Sequence, residues 1–185
     1  MSSARPALAG DICVLLAPSG PISRLGAGFI DRLHADLGGE RVEPLHVTVD
    51  RVATDDAATL IRAVREIAKR LRPASVRVDR LYFLPSQSRG PEIVKLEVAP
   101  DAVIDEDVNE ILAALRGCGL PSLYPQDRAK PTITALQRVT RRDSLEPDLS
   151  ALPLELFVAD DVIISRIRGA ALYDIVGSAS IPTSG

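Results

Sequence analysis

Two short segments, separated by roughly half the chain, carry the same pattern, and this echo restricts the fold more than any other feature of the sequence. His46-Val-Thr-Val-Asp-Arg-Val52 and Thr132-Ile-Thr-Ala-Leu-Gln-Arg-Val139 share residue–aliphatic–Thr–small apolar, followed by Arg-Val. A proline precedes each, Pro44 or Pro131, and each stands near a long helical pattern. In a strand, alternate side chains point to opposite faces. The first segment therefore sets Leu45, Val47 and Val49 against His46, Thr48 and Asp50. The second sets Pro131, Ile133 and Ala135 against Lys130, Thr132 and Thr134. The apolar sets suit a face packed under a helix. Two such strands side by side would line one cleft with His46, Thr48, Lys130, Thr132 and Thr134.

The rest of the chain supplies the scaffold. Residues 11–18 form an apolar run ending in Pro-Ser-Gly-Pro, which reads as a buried strand and a turn. Leu25, Phe29, Ile30, Leu33 and Leu37 fall at helical spacing, and Gly38-Gly39 ends that helix. Thr54-Asp55-Asp56 caps a second helix that runs to about Leu71, with Pro73 as its stop. Strand patterns cover 76–84 and 93–98, a third helix 104–116, and a strand 131–136. Residues 141–149 read as a short helix or loop, and 154–158, 161–168 and 171–176 as the last extended segments. Strand pairs separated by single helices, without regular strand–helix alternation, give an α+β fold rather than a doubly wound sheet. A chain of 185 residues holds one domain with a substantial core, or two small lobes sharing one. Residues 11–177 are expected to form that single two-lobed domain, with flexible ends at 1–10 and 178–185.

A cleft lined by hydroxyls, a cation and an imidazole suits a phosphate ester. Hydroxyls donate to non-bridging oxygens, the cation offsets their charge, and the imidazole moves a proton. The net charge is only −3, so no global field draws the protein to nucleic acid or membrane. Residues 127–142 are nonetheless locally basic, with Arg128, Lys130, Arg138, Arg141 and Arg142 against Asp127. Aromatic residues make up 3% and there is no Trp, which argues against a multi-ring base-stacking platform. Tyr124 and Tyr173 are read as packing near the core, and Cys13 and Cys118 as reduced thiols in or near it. No metal-ligand set and no cofactor motif is present; Gly26-x-Gly28 lies inside a helical pattern and is no phosphate loop. The N-terminal stretch lacks a signal-peptide apolar core and no apolar run has membrane-spanning length, so the expectation is a cytoplasmic protein without membrane association.

The segments LHVTV (45–49) and KPTITAL (130–136) resemble the paired His-x-Thr motifs of the two-histidine (2H) phosphoesterases. That superfamily includes 2′-5′ RNA ligase-like proteins and RNA cyclic phosphodiesterases, and the agreement in element order extends over nearly the whole chain. The resemblance implies a two-lobed fold, with antiparallel sheets flanking a central cleft and helices outside. It also implies that one histidine acts as general base and the other as general acid on a 2′,3′-cyclic phosphate or related phosphodiester, with the motif threonines holding phosphoryl oxygens. Carried over by position, His46 and Thr48 match the first motif and Thr134 the second, while Thr132 stands where the second histidine belongs. His34, the only other histidine, lies in neither motif. Losing one proton-transfer group costs about 10²–10⁴ in rate. Lys130 and Arg128 are the candidates for electrostatic help. The expected partner is a nucleotide or RNA terminus carrying a phosphodiester, bound by a monomer. Three readings stay open: a phosphoesterase degenerate in its second motif, a non-catalytic binding module for nucleotides or RNA ends, and a protein-interaction scaffold.

Overall fold

The computed structural model describes residues 7–54, 56–84, 92–120, 122–123, 131–140, 149–169 and 172–183. In chain order the described elements are β1 (Ile12–Ala17), α1 (Arg24–Leu37), β2 (Glu40–Arg41), β3 (Val47–Val52), α2 (Ala57–Ala68), β4 (Ala74–Leu84), β5 (Glu92–Val98), α3 (Ala102–Gly117), β6 (Thr132–Val139), β7 (Leu154–Ala159), β8 (Asp161–Gly169) and β9 (Leu172–Ser180). Each helix starts where a side chain accepts from otherwise unpaired N–H groups. Ser23 accepts from Gly26 N, Asp56 from Thr59 N, and Asp101 from both Val103 N and Ile104 N.

The nine described strands belong to one sheet in the order β7-β4-β5-β6-β3-β1-β8-β9, with β2 added on β6. Every pairing among them is antiparallel. The order splits into two four-stranded halves, β7-β4-β5-β6 and β3-β1-β8-β9, one for each expected lobe. The two expected sheets are thus continuous, joined where β3 meets β6 at Val47↔Ile133. The helices cross between halves: α1 packs on β7 and β6, while α2 lies on β9 and β8 and beside α3.

The three helices cover one face of this curled sheet. Phe29, Ile30, Leu33 and Leu37 of α1, Leu60, Val64 and Ile67 of α2, and Ile104, Ile111 and Leu115 of α3 enter one core with Val47, Val49, Val94, Leu96 and Ile133. The other face carries a smaller apolar patch of Cys13, Leu15, Ala17, Ile163 and Ile167, with Tyr173 against it. Among the described residues, no helix packs on this second face.

Four expectations need correction. Strict alternation fails in β3, where the register against β1 shifts between Val14 and Leu15. A bulge places two residues opposite one, so Asp50 faces Val14 on the helix-covered side and Arg51 faces Cys13 on the other. Asp50 therefore leaves the polar set that holds His46 and Thr48; it accepts from Ser122 Oγ at 2.6 Å. The C-terminal boundary also moves. β9 runs to Ser180 and Ile181 is buried, its N–H bonded to Asp160 O, so the stretch from 178 is part of the sheet. Of the two cysteines, Cys13 is buried but Cys118 is exposed. Arg138 is turned into a left-handed backbone conformation and its guanidinium pairs with Glu40 on β2 at 2.9 Å, away from the motif threonines. The segment 141–148, Tyr124 and the phosphate-binding candidates Arg128 and Lys130 lie outside the described residues.

Candidate active site

The junction of the two halves assembles the site. Directly opposed residues on antiparallel strands share a face. Val47 stands opposite Ile133 on the core side; continuing that antiparallel register by one residue each way sets His46, just before β3, toward Thr134 and Thr48 toward Thr132 on the other face. That register turns His46, Thr48, Thr132 and Thr134 toward the side of the sheet away from Val47 and Ile133. Burial agrees: His46 is 1% exposed, Thr48 8% and Thr134 7%, with Thr132 half-buried.

His46 is held as a neutral base. Its Nδ1 lies 2.5 Å from Pro44 O, and a carbonyl only accepts, so Nδ1 carries the proton and Nε2 keeps a lone pair. Burial, assisted by the nearby charge of Lys95 and opposed by the Pro44 bond, lowers its pKa from 6.5 to about 4. Nε2 is buried and has no hydrogen-bond partner among the described residues. The Tyr173 ring meets the imidazole edge-on at 5.2 Å between centroids. His34 takes no part; its Nε2 lies 3.1 Å from Gly39 O at the end of α1.

Sequence reasoning missed the cation. Lys95 on β5 stands opposite Thr134 and donates from Nζ to Thr134 Oγ1 at 2.6 Å. Glu97 stands opposite Thr132, and Tyr82 of β4 opposite Lys95. The signal was present, because 93–98 alternates and sets Lys95 and Glu97 against buried Val94, Leu96 and Val98. What the sequence does not display is that β5 pairs with β6. Tyr173, expected to pack near the core, lies half-buried on the cleft side, against His46. Among the described residues no cluster of His, Cys, Asp or Glu has the make-up of a metal site, and no helix is long and apolar enough to cross a membrane.

A curled antiparallel sheet with the described helices on one face is the two-lobed α+β fold also seen in LigT and related solved structures. TT0787 of Thermus thermophilus superposes with a TM-score of 0.63 at 12% identity, over 95% of this chain and 100% of its own. Escherichia coli LigT complexed with 3′-AMP does so with a TM-score of 0.60 at 14% identity, over 95% and 100%. A structure described as a phosphoesterase gives 0.61 at 14% identity, over 95% and 99%. At this identity the likeness is one of fold. The sequence matches no protein-family model and no curated protein sequence.

Proposed function

We propose that the chain is a 2H-type phosphoesterase with a single catalytic imidazole, acting on a nucleotide-derived phosphodiester such as a 2′,3′-cyclic phosphate. The observation that supports this reading is the Val47↔Ile133 pairing, which joins the two motif segments side by side. E. coli LigT, similar in fold, has been solved with 3′-AMP, a phosphomonoester, and with phosphate.

In the proposed reaction the hydroxyls of Thr48, Thr132 and Thr134 donate to phosphoryl oxygens, and His46 Nε2 accepts the proton of the attacking water. The Pro44 bond fixes the tautomer this role needs. Since Nε2 is enclosed, the substrate has to displace the Tyr173 ring from the imidazole edge. Titration with a 2′,3′-cyclic mononucleotide, followed by product analysis, tests the reading. Wild type should bind and turn over. His46→Ala should lose turnover, by about 10²-fold or more, while affinity stays within a few-fold. Binding without any turnover would withdraw the enzyme assignment and leave a nucleotide-binding module, which the enclosure of His46 and the threonine at 132 favour as the second reading. Absence of binding removes both.

A further inference from the structure

The two halves of the cleft are built alike but furnished differently. β1 flanks β3 on one side of the junction, and β5 flanks β6 on the other. The residue opposite Thr48 is Leu15, in the apolar patch with Ala17 and Ile163. The corresponding residue opposite Thr134 is Lys95. An ammonium group thus occupies the half whose motif lacks its imidazole.

Lys95 stands opposite Thr134 across β5 and β6, and the Val47↔Ile133 pairing, continued by one residue, sets His46 just before β3 on the other side of that threonine. Neighbouring strands are about 4.8 Å apart, so the outer members of such a row have backbones about 10 Å apart. A phosphoryl group held over Thr134 would have imidazole on one side and ammonium on the other. Hydrolysis of a phosphodiester is an in-line displacement, with attacking and leaving oxygens on opposite sides of phosphorus. Because Thr134 Oγ1 already accepts from Lys95 Nζ, its own proton is directed elsewhere and is available to a phosphoryl oxygen.

We infer that Lys95 is the proton donor to the leaving oxygen, standing in for the imidazole absent at Thr132. The inference rests on the hydrolytic reading above. In the step, water oxygen bonds to phosphorus while its proton passes to His46 Nε2. The bond from phosphorus to a ribose oxygen breaks, and that oxygen takes a proton from Lys95 Nζ. The product is a phosphomonoester with a free hydroxyl. The proton on His46 then returns to the neutral Lys95 amine through solvent, so the net change is one added water. An alkoxide is far more basic than an amine, so transfer to the leaving oxygen runs downhill.

Four variants decide the matter, assayed for kcat and KM on a 2′,3′-cyclic mononucleotide: Lys95→Arg, Lys95→Met, Lys95→Met with Thr132→His, and Lys69→Met as an exposed control. Arginine keeps the charge but cannot readily give up a proton. Lys95→Arg should therefore keep KM within about threefold and lose about 10² in kcat. Lys95→Met should lose kcat to a similar degree and also raise KM. Adding Thr132→His to Lys95→Met should recover at least about tenfold in kcat, which a merely structural lysine would not permit. Thermal melting of each variant checks that it is folded. Wild-type kcat in Lys95→Arg would reduce Lys95 to an electrostatic clamp and overturn the proposal, as would wild-type kcat in Lys95→Met. Wild type that binds but never turns over instead overturns the hydrolytic reading, and the donor role with it.

Discussion

His46 links the site to stability. Its folded pKa is about 4 against 6.5 for a free imidazole. Between those values the unfolded chain binds a proton that the folded one refuses, so its stabilising contribution is complete above pH 6.5. It falls as the pH drops to 4, by about 3 kcal/mol in total, and is level below that. Asp107 works in the opposite sense: burial raises its carboxyl to about 6 from 3.8, so its contribution declines as the pH rises through that interval. The comparison must therefore be between wild type and His46→Gln, by urea unfolding from pH 4 to 7. The variant should show the shallower loss on acidification; parallel curves would mean that His46 is not buried neutral. Thr48→Val probes the other role at this scale. It keeps the strand shape and removes one donor to phosphate, so affinity for a cyclic nucleotide should fall by roughly 1–3 kcal/mol. Binding unchanged by calorimetry would take Thr48 out of the site.

At the scale of elements, α1 shows what close approach demands. A Cβ on Gly26 would sit 2.9 Å from Leu156 O and 3.1 Å from Leu156 Cα, so the helix leans on the backbone of β7. Two residues on, a Cβ on Gly28 would meet only the Arg32 guanidinium tip at 3.8 Å. Alanine in place of helical glycine gains up to about 1 kcal/mol in either case. Gly28→Ala should therefore raise the melting temperature. Gly26→Ala should lower it, because forcing atoms into a packed contact costs about 1–3 kcal/mol. Equal shifts would refute the packing of α1 on β7. Elements of this kind were legible: the spacing of Phe29, Ile30, Leu33 and Leu37 marks α1, and alternation marks β3 and β6. Their local deviations were not. The β3 bulge that removes Asp50 from the cleft is set by pairing with β1, and the two-residue β2 exists only because β6 lies beside it. Lys95 was obscured for the same reason, since its place beside Thr134 depends on a pairing between strands far apart in sequence.

At the scale of the molecule, the site spans the seam of the sheet. The halves β7-β4-β5-β6 and β3-β1-β8-β9 meet at β3–β6, where the paired residues are Val47 and Ile133. The core beneath does not divide there: Val47 and Ile133 join the same buried cluster as Val76 of β4 and Val162 of β8. The motif histidine and the cation Lys95 lie on opposite sides, His46 just before β3 and Lys95 on β5. A ligand held by both ties the halves together, and anything that binds only the folded state stabilises it by about 2.7 kcal/mol at a hundredfold excess over Kd. Native-state hydrogen exchange should show the amides of β4 and β8 opening with one common free energy, raised equally in both strands by a saturating 2′,3′-cyclic mononucleotide. Ile133→Ala should lower that shared value by about 2–5 kcal/mol, because a buried methyl-rich side chain is lost from the seam itself. Protection that rises in β8 alone, or separate opening free energies for the two strands, would mean that the ligand sits within one half and that the row from His46 to Lys95 is not a single site.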